Sequence, residues 1–78
     1  MVETTNIAIN SFGDLVGWTK SEDIFPIAVH LLLDADSDKP SECFFFKEPE
    51  EAVKKKDELE SIYYNNLQRV EICKVSYV

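Results

Sequence analysis

Phe44-Phe45-Phe46-Lys47-Glu48-Pro49-Glu50-Glu51-Ala52 is the stretch whose reading decides the fold. Three consecutive aromatic residues run into an acidic, proline-headed helix start. Glu48, Glu50 and Glu51 lie where the helix dipole is positive, and Pro49 suits the first turn, where its missing N–H is not needed. Further along, Arg69 to Val78 reads as β-structure. The unit is strand, helix, strand.

Working outward, the spacing predicts a helix over 49–65. Ala52, Leu59, Ile62 and Tyr63 fall on one face, with the stem of Lys56 filling the gap between them. Glu50–Lys54, Glu51–Lys55 and Lys56–Glu60 are four apart, each worth about 0.2–0.5 kcal/mol. Asn65 and Asn66 tolerate the left-handed turn that ends a helix. The tail, 69–77, alternates Val70 and Ile72 against Glu71. It then changes phase at Cys73, so that Cys73, Val75 and Tyr77 oppose Lys74 and Ser76. That slip predicts a bulge, or a strand whose surroundings change partway.

Upstream, Ile24 to Asp34 fits two periods. Ile24, Ile27, Ala28, Leu31 and Leu32 have helical spacing, whereas Ile27, Val29, Leu31 and Leu33 share one side of a strand. The polar connector Asp34–Ser41 and the short apolar run Cys43–Phe46 decide for a hairpin, with strands at 25–33 and 42–47. Ile7 and Ile9 alternate with polar or small neighbours, which predicts a strand near Thr5–Asn10. After it come a turn and an irregular apolar segment through Trp18.

The expectation is a single α+β domain over 1–78, β-β-α-β with an extra N-terminal strand, a mainly antiparallel sheet and one helix on one face. The two strands flanking the helix run in the same direction, with the first hairpin strand between them, and the crossover is right-handed. Phe45 and the Phe44/Phe46 pair point to opposite sides of the sheet. The second face therefore needs cover, from Phe12, Trp18 and Phe25 or from another chain.

Nine aromatic residues and 45% hydrophobic composition supply one small core and argue against global disorder. A domain of this size is expected to keep only about 3–5 kcal/mol of net stability. Fifteen acids against eight bases give a formal charge of −7. That field opposes direct binding of a phosphate backbone and favours a protein partner with a basic surface. It also serves solubility. Cys43 and Cys73 lack metal-site spacing and read as reduced thiols, with one disulfide open if their strands are neighbours. The first eighteen residues hold no basic region leading into an apolar run, and the most apolar window, Ile24–Leu33, is too short to span a bilayer. A cytoplasmic protein without membrane contact is expected.

Asp34-x-Asp36-x-Asp38 opens like a calcium loop. Lys39 and Phe45 stand where that loop needs its glycine and its bidentate glutamate, so a hairpin connector is the better reading. His30, the single histidine, has no motif partner. An enzyme built on it would need a pocket with Asp34 and Cys43 alongside. Gly13 and Gly17 form no phosphate loop. Lys54-Lys55-Lys56 is embedded among acids and belongs to a mixed-charge helix face. No cofactor, metal or catalytic residue is expected.

Phe46-Lys47-Glu48-Pro49-Glu50-Glu51-Ala52 leading to Val70-Glu71-Ile72-Cys73-Lys74-Val75 resembles small phage and mobile-element proteins, and size and acidity are similar to the anti-CRISPR and host-inhibitor group among them. The resemblance covers about the last half of the chain and carries over no residue. It implies a non-enzymatic, phage-type protein that acts in the host cytoplasm by binding and blocking a nucleic-acid-handling host protein. The alternatives are an accessory or self-associating, homodimeric domain without inhibitory role and a small-ligand or metal-dependent enzyme around His30. The expected partner-binding set is the acidic connector Asp34, Asp36, Asp38 and Glu42, which Lys39 alone offsets, with Phe44, Phe46 or Trp18 as apolar anchors.

Overall fold

The computed structural model describes residues 3–33, 41–65 and 67–78. Five strands and one helix occur in the order β1 (Thr4–Ile9), β2 (Leu15–Ser21), β3 (Ile27–Leu33), β4 (Ser41–Phe46), α1 (Pro49–Ile62) and β5 (Leu67–Tyr77). The sheet order is β2-β1-β5-β3-β4 and each neighbouring pair is antiparallel. This is the expected α+β domain. β3 lies between the strands that flank the helix, so those two run in the same direction. Residues 27–33 form a strand, hairpin-paired with β4 as expected.

The helix starts as its sequence dictates, with Glu48 extended at the N-cap, Pro49 in the first turn and Glu50 and Glu51 behind it. It ends earlier than expected, at Ile62, where the Tyr63 N–H bonds the Leu59 carbonyl at 3.0 Å. Asn65 is not left-handed, and Asn66 lies outside the described residues. Ala52 and Leu59 are buried and Tyr63 packs beside them, but Ile62 points to solvent. Lys56 pairs with Glu60 at 2.6 Å, while Lys55 turns to Glu58 at 3.5 Å. The pairs Glu50–Lys54 and Glu51–Lys55 are not among the ion pairs of the described residues.

Under α1 sit Val29, Leu31 and Leu33 from β3, with Ile27, Phe44, Phe46 and Val70 packed around them. The second face has its own core of Ala8, Ala28 and Cys73, bordered by Val16, Cys43, Phe45 and Val75. Its cover comes from the N-terminal segment, the first of the two expected sources, but in a different form. The N-terminal segment joins the sheet as two strands, so 15–21 is strand rather than irregular. The twist of the sheet then brings its edges, β2 and β4, together. Gly17 meets Cys43 there so closely that a Cβ on Gly17 would lie 2.6 Å from the Cys43 Cβ. Small residues line this face because two backbones have to approach across it. Phe25 contributes, with its ring 6.2 Å from that of Phe45. Phe12 and Trp18 do not; both point outward.

Asn6 is the buried polar residue that closes the β2–β3 connection. Its amide donates to the Asp23 carbonyl at 3.0 Å and accepts from the Phe25 N–H at 3.0 Å. Each is a backbone group that would otherwise lack a partner. Nearby, Lys47 reaches Asp23 across 3.3 Å. β3 separates the strands of Cys43 and Cys73, and both cysteines are free thiols. At about 4.8 Å per strand step, a disulfide between them would require the backbone to move.

Candidate functional site

The β1–β2 connection is built by Asn10 and Gly13. The Asn10 Oδ1 accepts from the N–H groups of Phe12 and Asp14, each at 2.9 Å, and Gly13 takes φ 85°, a value natural to glycine. The strand register then sets which side chains of β2 face out. Ala8 pairs with Gly17 but Ile9 pairs with Leu15, so Val16 is the extra residue of a β-bulge. The bulge lets Val16 and Gly17 both face inward while Leu15 and Trp18 face outward.

Opposite Trp18 and Leu15 on that outward side are Ile7 and Ile9, and beside these on β5 are Ser76 and Lys74. α1 packs on β3, β4 and β5 and leaves this part of the sheet uncovered. Trp18 is 61% and Leu15 60% exposed, and Ile72 is partly exposed beside them. Lys20 stands at one end of the patch. Where the turn meets β5, an open groove of about 310 Å³ is lined by Ile9, Asn10, Ser11, Gly13, Ile72 and Lys74.

A polar group occupies the other side of the sheet. His30 is paired with Cys43 on β4 and with Glu71 on β5. Glu71 accepts from Arg69 at 2.6 Å and from the Ser11 hydroxyl at 3.3 Å, and Arg69 lies 4.7 Å from the Phe12 ring centre. The hydrogen bond from Arg69 is the main cause that holds the Glu71 carboxyl below its ordinary range. Burial pulls His30 below its ordinary value, against the attraction of Glu71. Burial pushes the Cys43 and Cys73 thiols up to about 11. Cys43 therefore stands opposite His30 as a neutral thiol. A thiolate nucleophile needs the reverse shift.

Of the expected partner-binding residues that are described, Trp18 lies apart from Glu42, Phe44 and Phe46, which share one side of β4. Trp18 is exposed on the uncovered patch. Phe44 and Phe46 are corrected as anchors: they pack beneath α1, and the Lys55 ammonium lies 4.8 Å from the Phe44 ring centre. Glu42 is half-buried on the helix side, opposite Leu31, rather than projecting from a hairpin tip. Asp34, Asp36 and Asp38 lie outside the described residues, as does Lys39. Leu15, Ile7, Ile9 and Ile72 were absent from the sequence reading of the site. A five-residue, glycine-containing link, Asn10–Asp14, between two apolar runs was the signal for their hairpin, and the bulge at Val16 masked the alternation of its second strand. No helix among the described residues is long and apolar enough to cross a membrane. No family model, curated protein or solved structure matches the chain.

Proposed function

We propose that the chain is a non-catalytic protein-binding module that docks through the uncovered sheet patch centred on Trp18. The observation that carries this reading is the pair Trp18 and Leu15, exposed on an edge strand above Ile7 and Ile9. An exposed tryptophan in an apolar setting with polar residues around it has the anatomy of an interface anchor. The net charge of −7 steers the module toward a basic surface. Proteins that handle nucleic acids carry such surfaces, and a small acidic module seated on one acts as an inhibitor. The neutral Cys43 thiol beside His30 supports a role without catalysis.

Trp18→Glu tests this. The tagged wild-type chain is used to capture a partner, and the complex is mapped by cross-linking and titrated at two salt concentrations. The variant is expected to bind at least tenfold more weakly with an unchanged circular dichroism spectrum, and wild-type binding to weaken with salt. Equal binding by Trp18→Glu removes the patch from the interface. Asp34, Asp36 and Asp38 replaced together by Asn measure the share of the connector through the salt dependence alone. A second reading, self-association, is favoured by the position of Trp18 on an edge strand. Sedimentation that shows a dimer dissociated by Trp18→Glu selects it.

A further inference from the structure

The β1–β2 turn is fastened to β5 by contacts of Ser11 with Glu71 and of Phe12 with Arg69, which itself bonds Glu71. Ser11 donates to the Glu71 Oε2 at 3.3 Å, and the same oxygen accepts from Arg69 at 2.6 Å. Arg69 in turn lies against the Phe12 ring. The other oxygen of Glu71, Oε1, faces the Cys73 thiol at 3.9 Å, a weak donor that leaves room for a stronger one. The residue directly opposite Glu71 on β3 is His30. Side chains so paired have Cβ atoms about 4.5–5.5 Å apart.

We propose that residues 10–14 form a proton-operated strap: protonation of His30 draws the Glu71 carboxylate away from Ser11, frees the turn and widens the groove that it walls. Among the described residues, the charged and titratable groups that face His30 are few. Glu71 lies across from it on β5, Arg69 and Cys73 stand to either side of Glu71 on the same face, and Cys43 lies across on β4. Both thiols stay neutral, so Glu71 is the one anion and Arg69 the one cation of this set. The acids of α1 are on the opposite side of the sheet. A protonated imidazole is a charge-assisted donor to a carboxylate. Of the two contacts on Oε2, the one it displaces is the weaker, a long bond from a neutral hydroxyl. Arg69 keeps its short bond and moves with the carboxylate, so the Phe12 ring loses its seat as well. Ser11 and Gly13 line the groove opposite Ile72 and Lys74. Release of the turn therefore opens that groove. Burial and Arg69 hold His30 below its ordinary value of 6.5, which places the transition on the acid side of neutrality.

Nuclear magnetic resonance on the full chain between pH 5 and pH 8 tests the strap. The Ser11, Phe12 and Gly13 amides are expected to shift together with one midpoint below 6.5, the same as that of the His30 ring protons. His30→Gln is expected to abolish those shifts. Glu71→Gln is expected to lower the His30 midpoint, because it removes the anion that favours the charged ring. Turn amides that titrate near the carboxylate range, or that still titrate in His30→Gln, overturn the proposal. So does a His30 midpoint that Glu71→Gln leaves unmoved.

Discussion

Gly17→Ala adds one methyl group at the seam where the two sheet edges meet. In an ordinary strand interior this change stabilises, because glycine loses more backbone freedom on folding, by about 0.5–1 kcal/mol. Here the new Cβ would lie 2.6 Å from the Cβ and 2.9 Å from the Sγ of Cys43. Carbon atoms rest at about 3.5–4.0 Å, so the strands have to part by about 1 Å. Rotating the cysteine does not help, since a Cβ does not move with its own side-chain torsion. Overpacking of this kind costs about 1–3 kcal/mol, which outweighs the entropic gain. For a domain of this size each kcal/mol lowers the melting temperature by about 4–8 °C.

Urea unfolding of Gly17→Ala, with the slope checked for constancy, measures the loss. The partner variants identify its cause. Cys43→Ala keeps the Cβ and is expected to leave most of the penalty in place. Cys43→Gly removes both obstructing atoms, so Gly17→Ala on that background is expected to be neutral or stabilising. The double-mutant cycle then gives a coupling of about 1–3 kcal/mol with Cys43→Gly and much less with Cys43→Ala. A neutral Gly17→Ala in the wild-type background, or equal rescue by the two cysteine variants, refutes the close approach of β2 and β4.

Asn6→Ala leaves the Asp23 carbonyl and the Phe25 N–H without their amide partner and is expected to cost about 2–4 kcal/mol in urea unfolding. The two thiols have folded values near 11 against an ordinary 9.0, so the stability they contribute is complete below pH 9 and is lost as pH rises from 9 toward 11. Urea midpoints at pH 8 and pH 10.5 measure that loss, and Cys73→Ala is expected to make it smaller. On the acid side, His30 and Glu71 both have lowered values. Their contributions are present above 6.5 and 4.5 and disappear as pH falls below each, and His30→Gln is expected to remove the first step from a pH series of urea midpoints.

The half of the fold after Pro26 was legible because its signals were local and consistent. The Phe44–Ala52 junction placed a strand end against a helix start, and the polar 34–41 connector forced a hairpin partner for Ile27–Leu33. The N-terminal half was harder because both of its decisive features are non-local. Gly17 reads as a weak point in any element until Cys43 is known to lie across from it. The apolar run Leu15-Val16-Gly17-Trp18 breaks strand alternation because Val16 is a bulge residue, which only the pairing with β1 discloses. Site residues suffered in the same way. Phe44 and Phe46 look like free aromatic groups in sequence, yet their strand passes under α1, and their rings are part of the core. Trp18, which the sequence offered as cover for the second face, faces away from it.

The change of phase at Cys73 ties these observations together. β5 continues without interruption from its pairing with β3 to its pairing with β1, and the register shift of the β3–β5 ladder falls near Leu33 rather than at Cys73. What changes is the cover on each side. At its start β5 lies under α1, so Val70 is packed on the helix side. Beyond Ile72 the helix no longer covers it, and the buried side becomes the one where the closed seam of β2 and β4 gathers Cys73 and Val75. One helix of fourteen residues cannot cover five strands, and the twist that closes one face turns the other outward at the β2 end. The residues left there are Trp18, Leu15, Ile7 and Ile9. Had the fold needed only solubility at that end, polar side chains would have served, since among the described residues nothing packs on it. Two bulky apolar residues on the exposed edge strand are the physical ground of the proposal that places a binding surface there.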